Sequence, residues 1–158
     1  MKNLRTVFTG VCITLVSLGL SAQNRTSPLN EPDMNKPLLF AGLPDRIPVS
    51  MDYINSLFGS SSGKPVSIAT ATDPTSSRFE GEVVSSGSDE NDRLQSVVVR
   101  STNFNGARFT VSRYTNEEGV VSYTGRIISF KHGDAYELKN ESGNLVLIKR
   151  KFYSLVNE

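Results

Sequence analysis

The chain has 158 residues, with 17 basic and 16 acidic side chains and a formal net charge of +1 at pH 7. This balance argues against a nucleic-acid or anionic-membrane partner, because binding such partners requires a clear excess of cations. The length suits one domain with a core of its own. The single cysteine, Cys12, lies near the start, so the remaining chain must hold together without disulfides.

The first residues, 1–22, predict a secretory signal peptide. Lys2 and Arg5 precede an apolar run, and small residues end it. The run of about 15 residues falls short of the roughly 20 that a permanent membrane helix needs. We therefore expect cleavage after Ala22 or Ser21 and export to the periplasm or the cell exterior, with no stable membrane anchor. Because the mature chain lacks cysteine, a bacterial exported protein is favoured.

Residues 23–46 predict an extended, proline-rich arm, and residues 47–158 predict a β-rich domain. Four prolines interrupt the arm, and proline at this density prevents regular helix or central strand. The apolar segment of the arm, 37–43, is expected to pack against the domain.

The stretch after the arm predicts one short helix near 51–58. Ser50 suits the N-cap position, and apolar residues follow it at helical spacing. Gly59 stands where a helix commonly ends in a left-handed residue. The apolar positions are Met51, Ile54, Leu57 and Phe58.

From residue 64 onward, short β-like runs alternate with turn residues at the spacing of an antiparallel meander. We predict a mostly β single domain with a meander of about six to seven strands, which forms a curved sheet or a small open barrel. The short N-terminal helix is expected to plug one end. The candidate strands are 65–71, 78–85, 94–101, 107–115, 120–129, 135–139 and 145–153.

The turns between the middle strands predict their register. A three-residue loop at 104–106 would set Val99 opposite Val111, and a five-residue turn at 115–119 would set Val111 opposite Tyr123. Gly125 would then lie opposite Phe109 and let the sheet bend sharply. The predicted apolar face consists of Val99, Phe109, Val111, Tyr123 and Ile127. The predicted polar face carries Arg100, Thr110, Ser112, Ser122, Thr124 and Arg126.

The stretch GSSSG at 59–63 matches the G-x-S-x-G pattern of a hydrolase nucleophile elbow. That elbow requires a strand before the serine and a helix after it, whereas the order predicted here is the reverse. We therefore interpret Ser60–Ser62 as a flexible connector, and we do not predict Ser61 to be a nucleophile.

Two pairs of side chains are candidates for catalysis. His132 is the one histidine and could act as a general base, with Asp134 two residues further on to orient it. Glu80 and Glu82 alternate onto one strand face and could divide acid and base roles. The simpler interpretation is a turn histidine in the first case and a solvated strand face in the second.

The loop 86–93 contains Asp89, Asn91 and Asp92, whose oxygens calcium would accept. It lacks the glycine and the distal glutamate of an EF-hand loop, so we do not predict a metal site. The sequence contains no phosphate-binding, dinucleotide or metalloprotease motif, and we expect no cofactor.

The sequence favours a non-enzymatic binding module whose partner is another exported protein, because a self-sufficient β pattern carries no converging catalytic set. One alternative is a small-ligand carrier with a pocket lined by apolar residues of the curved sheet. Those residues are Phe109, Val111, Tyr123 and Ile127. A hydrolase that uses His132 with Asp134 or Glu82 is the least favoured interpretation.

Overall fold

A computed structural model describes residues 33–68 and 79–155. The predicted signal peptide (1–22), the first part of the predicted arm and the end of the predicted strand 65–71 lie outside these ranges. Within the described residues, no helix is long and apolar enough to cross a membrane.

Eight strands and one short helix account for the regular structure of the described residues. The strands are β1 Arg46–Val49, β2 Pro65–Ile68, β3 Phe79–Ser88, β4 Leu94–Ser101, β5 Arg108–Thr115, β6 Val121–Ile128, β7 Asp134–Glu141 and β8 Asn144–Lys151. Helix α1 spans Met51–Leu57, and a 3-10 turn spans Phe152–Leu155.

All eight strands belong to one antiparallel sheet in the order β1-β8-β7-β6-β5-β4-β3-β2. Strands β2 to β8 therefore run as a continuous meander, and β1 joins its far edge beside β8. The sheet curls into a half-barrel. The mostly β, single-domain fold predicted from the sequence is confirmed, with one strand more than expected.

The additional strand is β1, which the sequence analysis did not predict. Its four residues alternate exposed and buried, with Ile47 and Val49 turned toward the core. Pro48 argued against a strand here, because proline has no N–H to donate to a ladder and is confined to edge strands, strand starts and bulges. At the edge of the sheet β1 has a single neighbour, and Pro48 pairs with Val146 of β8.

Both predicted registers were wrong by two residues. Val99 lies opposite Phe109, and Val111 lies opposite Gly125. Side chains at the strand ends cause the shift, since the Ser101 hydroxyl accepts the Phe104 N–H at 2.9 Å and so starts the first loop earlier.

At the second turn, the Asn116 side chain accepts the Val120 N–H at 2.7 Å, so the five-residue turn begins one residue later than predicted. A shift of two residues preserves the alternation of side chains, so each residue keeps its predicted face.

The concave side of the sheet, called the inner face, carries the core. Val99, Phe109 and Val111 are fully buried there, and Ile127 is 3% exposed. Phe79 packs edge-on against Phe109 at 6.2 Å between ring centroids. The predicted apolar face is therefore the inner face, and Tyr123 packs against it while half-buried.

Helix α1 lies on the inner face, where its Asn55 side chain accepts hydrogen bonds from Arg113 of β5 and Tyr123 of β6. Ser50 caps the helix by accepting the Tyr53 N–H, and Gly59 adopts a φ of 114° just after its end. Ile54 and Leu57 are buried. Ser61 is exposed in the connector between α1 and β2, so the order of elements around GSSSG is helix, connector, strand.

The segment 33–45 crosses the opposite end of the half-barrel. Phe40 is 1% exposed and packs against Tyr136 and Phe104, with ring centroids 5.2 and 5.4 Å away. The carboxylate of Asp134 accepts the N–H groups of Leu39 and Phe40 at 2.7 and 2.8 Å. The apolar segment 37–43 therefore packs against the domain.

Candidate functional site

The convex side of the sheet, called the outer face, presents three exposed arginines on three neighbouring strands. They are Arg100 on β4, Arg108 on β5 and Arg126 on β6. None of them makes an ion pair or a hydrogen bond with another side chain of the described residues. We call this group the arginine face.

The register places the three arginines close together. Arg100 lies directly opposite Arg108, and Arg126 is the diagonal neighbour of Arg108 across β5 and β6. Like charges directly opposite each other destabilise a sheet. Glu82 lies opposite Arg100 on the other side but forms no ion pair with it within 4 Å. The arginine face therefore carries three positive charges that form no ion pair among the described residues, although Glu82 and Glu137 flank them.

Arg126 also lacks a partner on its other side, although Glu137 of β7 lies directly opposite it. Glu137 is already occupied, because Lys139 contacts one of its oxygens at 2.6 Å and Arg150 contacts the other at 3.2 Å. Partial burial raises the pKa of Glu137, but the hydrogen bonds and charges of Lys139 and Arg150 outweigh it and leave that pKa below its usual value. The Glu137 charge is thus satisfied without Arg126.

Beside Arg126 the sheet opens, because β6 and β7 pair over only part of their length. Pairing ends at Gly125 and Leu138, and Val121–Thr124 pairs with β5 alone. A groove of about 360 Å³ lies along this separation. We call it the β6–β7 groove, and its lining includes Thr110, Ser112, Thr124, Arg126, Lys139 and Asn140.

Gly125 marks the point where β6 leaves β7. A Cβ atom at this position would lie 2.8 Å from the Thr110 carbonyl oxygen and 3.4 Å from the Phe109 ring, so only glycine fits without displacement. A bend at Gly125 beneath Phe109 was predicted from the sequence. The ring does lie there, although Val111 is the residue directly opposite.

The structure does not bring His132 and Asp134 together. His132 Nδ1 lies 2.8 Å from the hydroxyl of Ser129, which is 1% exposed. Both carboxylate oxygens of Asp134 accept backbone N–H groups of the segment 33–45. Asp134 therefore holds that segment in place, and the Ser129 hydroxyl is not accessible to a substrate.

Glu80 and Glu82 are exposed on the outer face, as expected from the alternation of β3. They lie opposite Ser67 and Pro65 on the neighbouring edge strand, β2. Neither of them makes a side-chain hydrogen bond or ion pair with the described residues. The structure places them beside the arginine face and does not position a reacting group between them.

The predicted acidic loop connects β3 and β4. Asp89 accepts the Leu94 N–H at 3.1 Å, and Asp92 adopts a φ of 53°, so both residues shape the turn. Asn91 is exposed in the same loop. Nowhere in 33–68 or 79–155 do three His, Cys, Asp or Glu side chains converge as metal ligands.

The four residues of the predicted ligand pocket form part of the core. Phe109 and Val111 have no exposed surface, and the interior cavity that reaches Ile127 has a volume of about 20 Å³. That space is comparable to one water molecule. Tyr123 donates its hydroxyl to the Asn55 side chain at 2.8 Å, and its other side borders the β6–β7 groove.

No protein-family model, curated protein or solved structure is significantly similar to this chain. We therefore infer the candidate site from the geometry of the structure alone. Arg100 and Arg126 were predicted to lie on the polar face, but not to form a site. The sequence pattern that could have identified this site is the presence of three arginines at even-numbered positions in three successive strands.

Proposed function

We propose that the protein is a non-enzymatic binding module that is exported and engages another exported protein. The observation that supports this proposal is the arginine face, where three exposed arginines have no ion pair among the described residues and one of them, Arg126, lines an open groove. The folded chain gains nothing from placing Arg100 opposite Arg108. A partner surface of opposite charge would relieve that repulsion.

The type of residue also suits recognition. Arginine carries a planar fork of donors that binds carboxylates in a bidentate manner, and it is enriched where partners make specific contacts. The half-buried side chains of Val98 and Ile128 adjoin the arginines on the same face and add apolar surface. Mixed apolar and cationic surface of this kind fits a protein partner.

Catalysis is not supported by the same geometry. His132 is bonded to a buried serine, and Asp134 is committed to backbone N–H groups. A catalytic set requires a base and a reacting atom within hydrogen-bond reach of one accessible point. The outer face carries exposed arginines and a groove, and these features suit binding better than catalysis.

The test is a pull-down with the chain from residue 23 onward, using medium and envelope fractions of the source cells. We expect retention of a specific protein, and loss of that protein with the triple variant Arg100→Ser, Arg108→Ser, Arg126→Ser. The control variant Arg93→Ser, Lys131→Ser, Lys151→Ser removes the same charge from exposed positions elsewhere and should retain it.

Two outcomes would count against the proposal in different ways. If the wild-type protein retains nothing specific in repeated trials, the binding function is wrong. If the triple variant retains the partner as well as the control does, the function stands but the arginine face is not its surface.

A further inference from the structure

The β6–β7 groove exposes strand edges inside the sheet. In an antiparallel ladder, successive residues direct their N–H and C=O groups alternately to the two neighbouring strands. Val121–Thr124 pairs with β5 alone, and Lys139–Glu141 pairs with β8 alone. Each of these two segments therefore turns backbone donors and acceptors toward the groove without a ladder partner among the described residues.

Unpaired strand edges of this kind accept an added strand. An extended peptide that lies along such an edge gains main-chain hydrogen bonds, while its alternate side chains select the site. The groove volume of about 360 Å³ is in the range of functional pockets. Its polar lining offers the hydroxyl groups of Thr110 and Thr124 to such a peptide, while the Ser112 hydroxyl is hydrogen-bonded to Ser96.

The charge around the groove selects the side chains of the occupant. Arg126 lines one wall, and on the other Lys139 is paired with Glu137, which also lines the groove, so Arg126 is the cation of the lining without an ion pair among the described residues. Arg108 extends the positive surface outward as the diagonal neighbour of Arg126. Carboxylates of aspartate or glutamate match the planar guanidinium groups of Arg126 and Arg108, and a charge-assisted pair of this type is about twice as strong as a neutral hydrogen bond.

The distribution of charge over the rest of the domain argues against a long polyanion. Asp89 and Glu90 in the β3–β4 loop, with Glu117 and Glu118 in the β5–β6 loop, place negative charge at one end of the same sheet. A nucleic acid that followed the arginine face would meet these acids, and the net charge of +1 provides no general attraction. A short acidic segment could contact the arginines without reaching these acidic loops, and it would not depend on a large net positive charge.

We propose that the β6–β7 groove binds an extended acidic segment of the partner protein as an added strand, with its carboxylates on Arg126 and Arg108. This inference rests on the binding function proposed above and specifies its site and the chemistry of its partner. Main-chain hydrogen bonds along Val121–Thr124 supply affinity, and the two arginines select negative side chains.

The test uses a short fluorescein-labelled peptide in which glutamate alternates with threonine, with binding followed by fluorescence anisotropy. We expect the double variant Arg108→Gln, Arg126→Gln to bind about tenfold more weakly or worse, which corresponds to the loss of at least one charge-assisted pair. The control variant Lys131→Gln, Lys151→Gln should bind within about twofold of the wild type. A peptide with glutamine in place of glutamate should not bind.

Hydrogen exchange provides a second readout that a purely electrostatic contact would not change. Addition of a strand should slow exchange of backbone amides within Val121–Thr124, because new ladder bonds protect them. If the peptide binds without this protection, strand addition is wrong. If single-stranded DNA binds as tightly and loses affinity in the same double variant, the site recognises polyanions and the inference is overturned.

The two proposals fail separately. Retention of a specific partner in the pull-down, together with no peptide binding, overturns the groove while leaving the binding function intact. Failure of both experiments overturns both proposals.

Discussion

The two faces of the sheet use the same residue type in opposite ways. Arg113 projects from β5 onto the inner face, where it donates to the side chains of Asn55 and Gln95 and lies over the Phe58 ring at 5.1 Å. Arg108 projects from the same strand onto the outer face and has no partner among the described residues. The comparison shows that the fold uses the Arg113 side chain in contacts on the inner face and leaves the Arg108 side chain without an ion pair among the described residues.

Alternation along each strand makes this division possible. A residue and its neighbour in the chain lie on opposite faces, so the outer positions can change without disturbing the core. Phe109 is fully buried although Arg108 and Thr110 lie on either side of it in the sequence. Substitutions should therefore act on stability at one face and on binding at the other.

The largest expected effect is at Phe109. Phe109→Ala removes a fully buried ring that contacts Phe79, and it should lower the free energy of unfolding by about 3–5 kcal/mol. Thr110→Ala on the outer face is the matched control and should change it by less than about 1 kcal/mol. Urea unfolding followed by circular dichroism measures both. Equal losses in the two variants would contradict the division between the faces.

The next effect is at Arg113. Arg113→Gln loses the hydrogen bonds to Asn55 and Gln95 and the contact with the Phe58 ring, which should cost about 1–3 kcal/mol in the free energy of unfolding. The same substitution at Arg108 should cost nothing. A loss confined to Arg108→Gln would reverse the roles that we assign to these two arginines.

The division between faces was largely predictable from the sequence, because it depends on alternation alone. The run 94–101 coincides with β4, and the predicted apolar face is the inner face. The register was not predictable, since it depends on single hydrogen bonds made by Ser101 and Asn116 at the strand ends. These side chains move the turn by a residue, and the hydrophobic pattern of the strands does not show where the turn begins.

The candidate site was less accessible from the sequence than the fold. A row of arginines on a polar face looks the same whether acids neutralise it or not, and only the register shows that Arg100 lies opposite Arg108. The groove depends on where β6 leaves β7, and that point, at Gly125 and Leu138, is visible only in the pairing of the strands. Neither fact follows from composition or periodicity.

Tyr53 is a buried polar residue on the inner side, and its substitution tests whether its hydroxyl contributes a hydrogen bond to stability. Its hydroxyl is buried without a hydrogen bond of normal geometry. Burial raises the pKa of Tyr53 to about 12, and the backbone of Ser67 opposes that rise only in part. At neutral pH, Tyr53→Phe should leave the free energy of unfolding unchanged or raise it by up to about 1 kcal/mol, because no hydrogen bond is lost.

At alkaline pH, the raised pKa of Tyr53 predicts how Tyr53→Phe changes the pH dependence of stability. The folded protein holds the Tyr53 proton more tightly than the unfolded chain, whose tyrosine pKa is about 10. The contribution of this pKa difference to the free energy of unfolding is therefore complete below pH 10 and is lost as the pH rises toward 12. The stability of Tyr53→Phe should fall less steeply over this range in urea unfolding, and the exposed Tyr114→Phe should follow the wild type. Identical profiles for all three proteins would contradict the assigned burial.

The smallest effect concerns the arginine face itself. Arg108→Gln removes the repulsion with Arg100 and should raise the free energy of unfolding by about 0.2–0.5 kcal/mol at low salt. The gain should disappear near 1 M salt, where the Debye length is only about 3 Å. Urea unfolding at both salt concentrations measures it.

A double-mutant cycle isolates the cause. Arg100→Gln added to Arg108→Gln should bring no further gain, since the repulsive pair is already absent. The acidic peptide should meanwhile bind more weakly to Arg108→Gln, so one substitution improves folding and impairs binding. Opposite effects of this kind are expected where a surface is kept for a partner at a small cost to the fold. A clear loss of stability in Arg108→Gln would mean that Arg108 serves the fold, as Arg113 does.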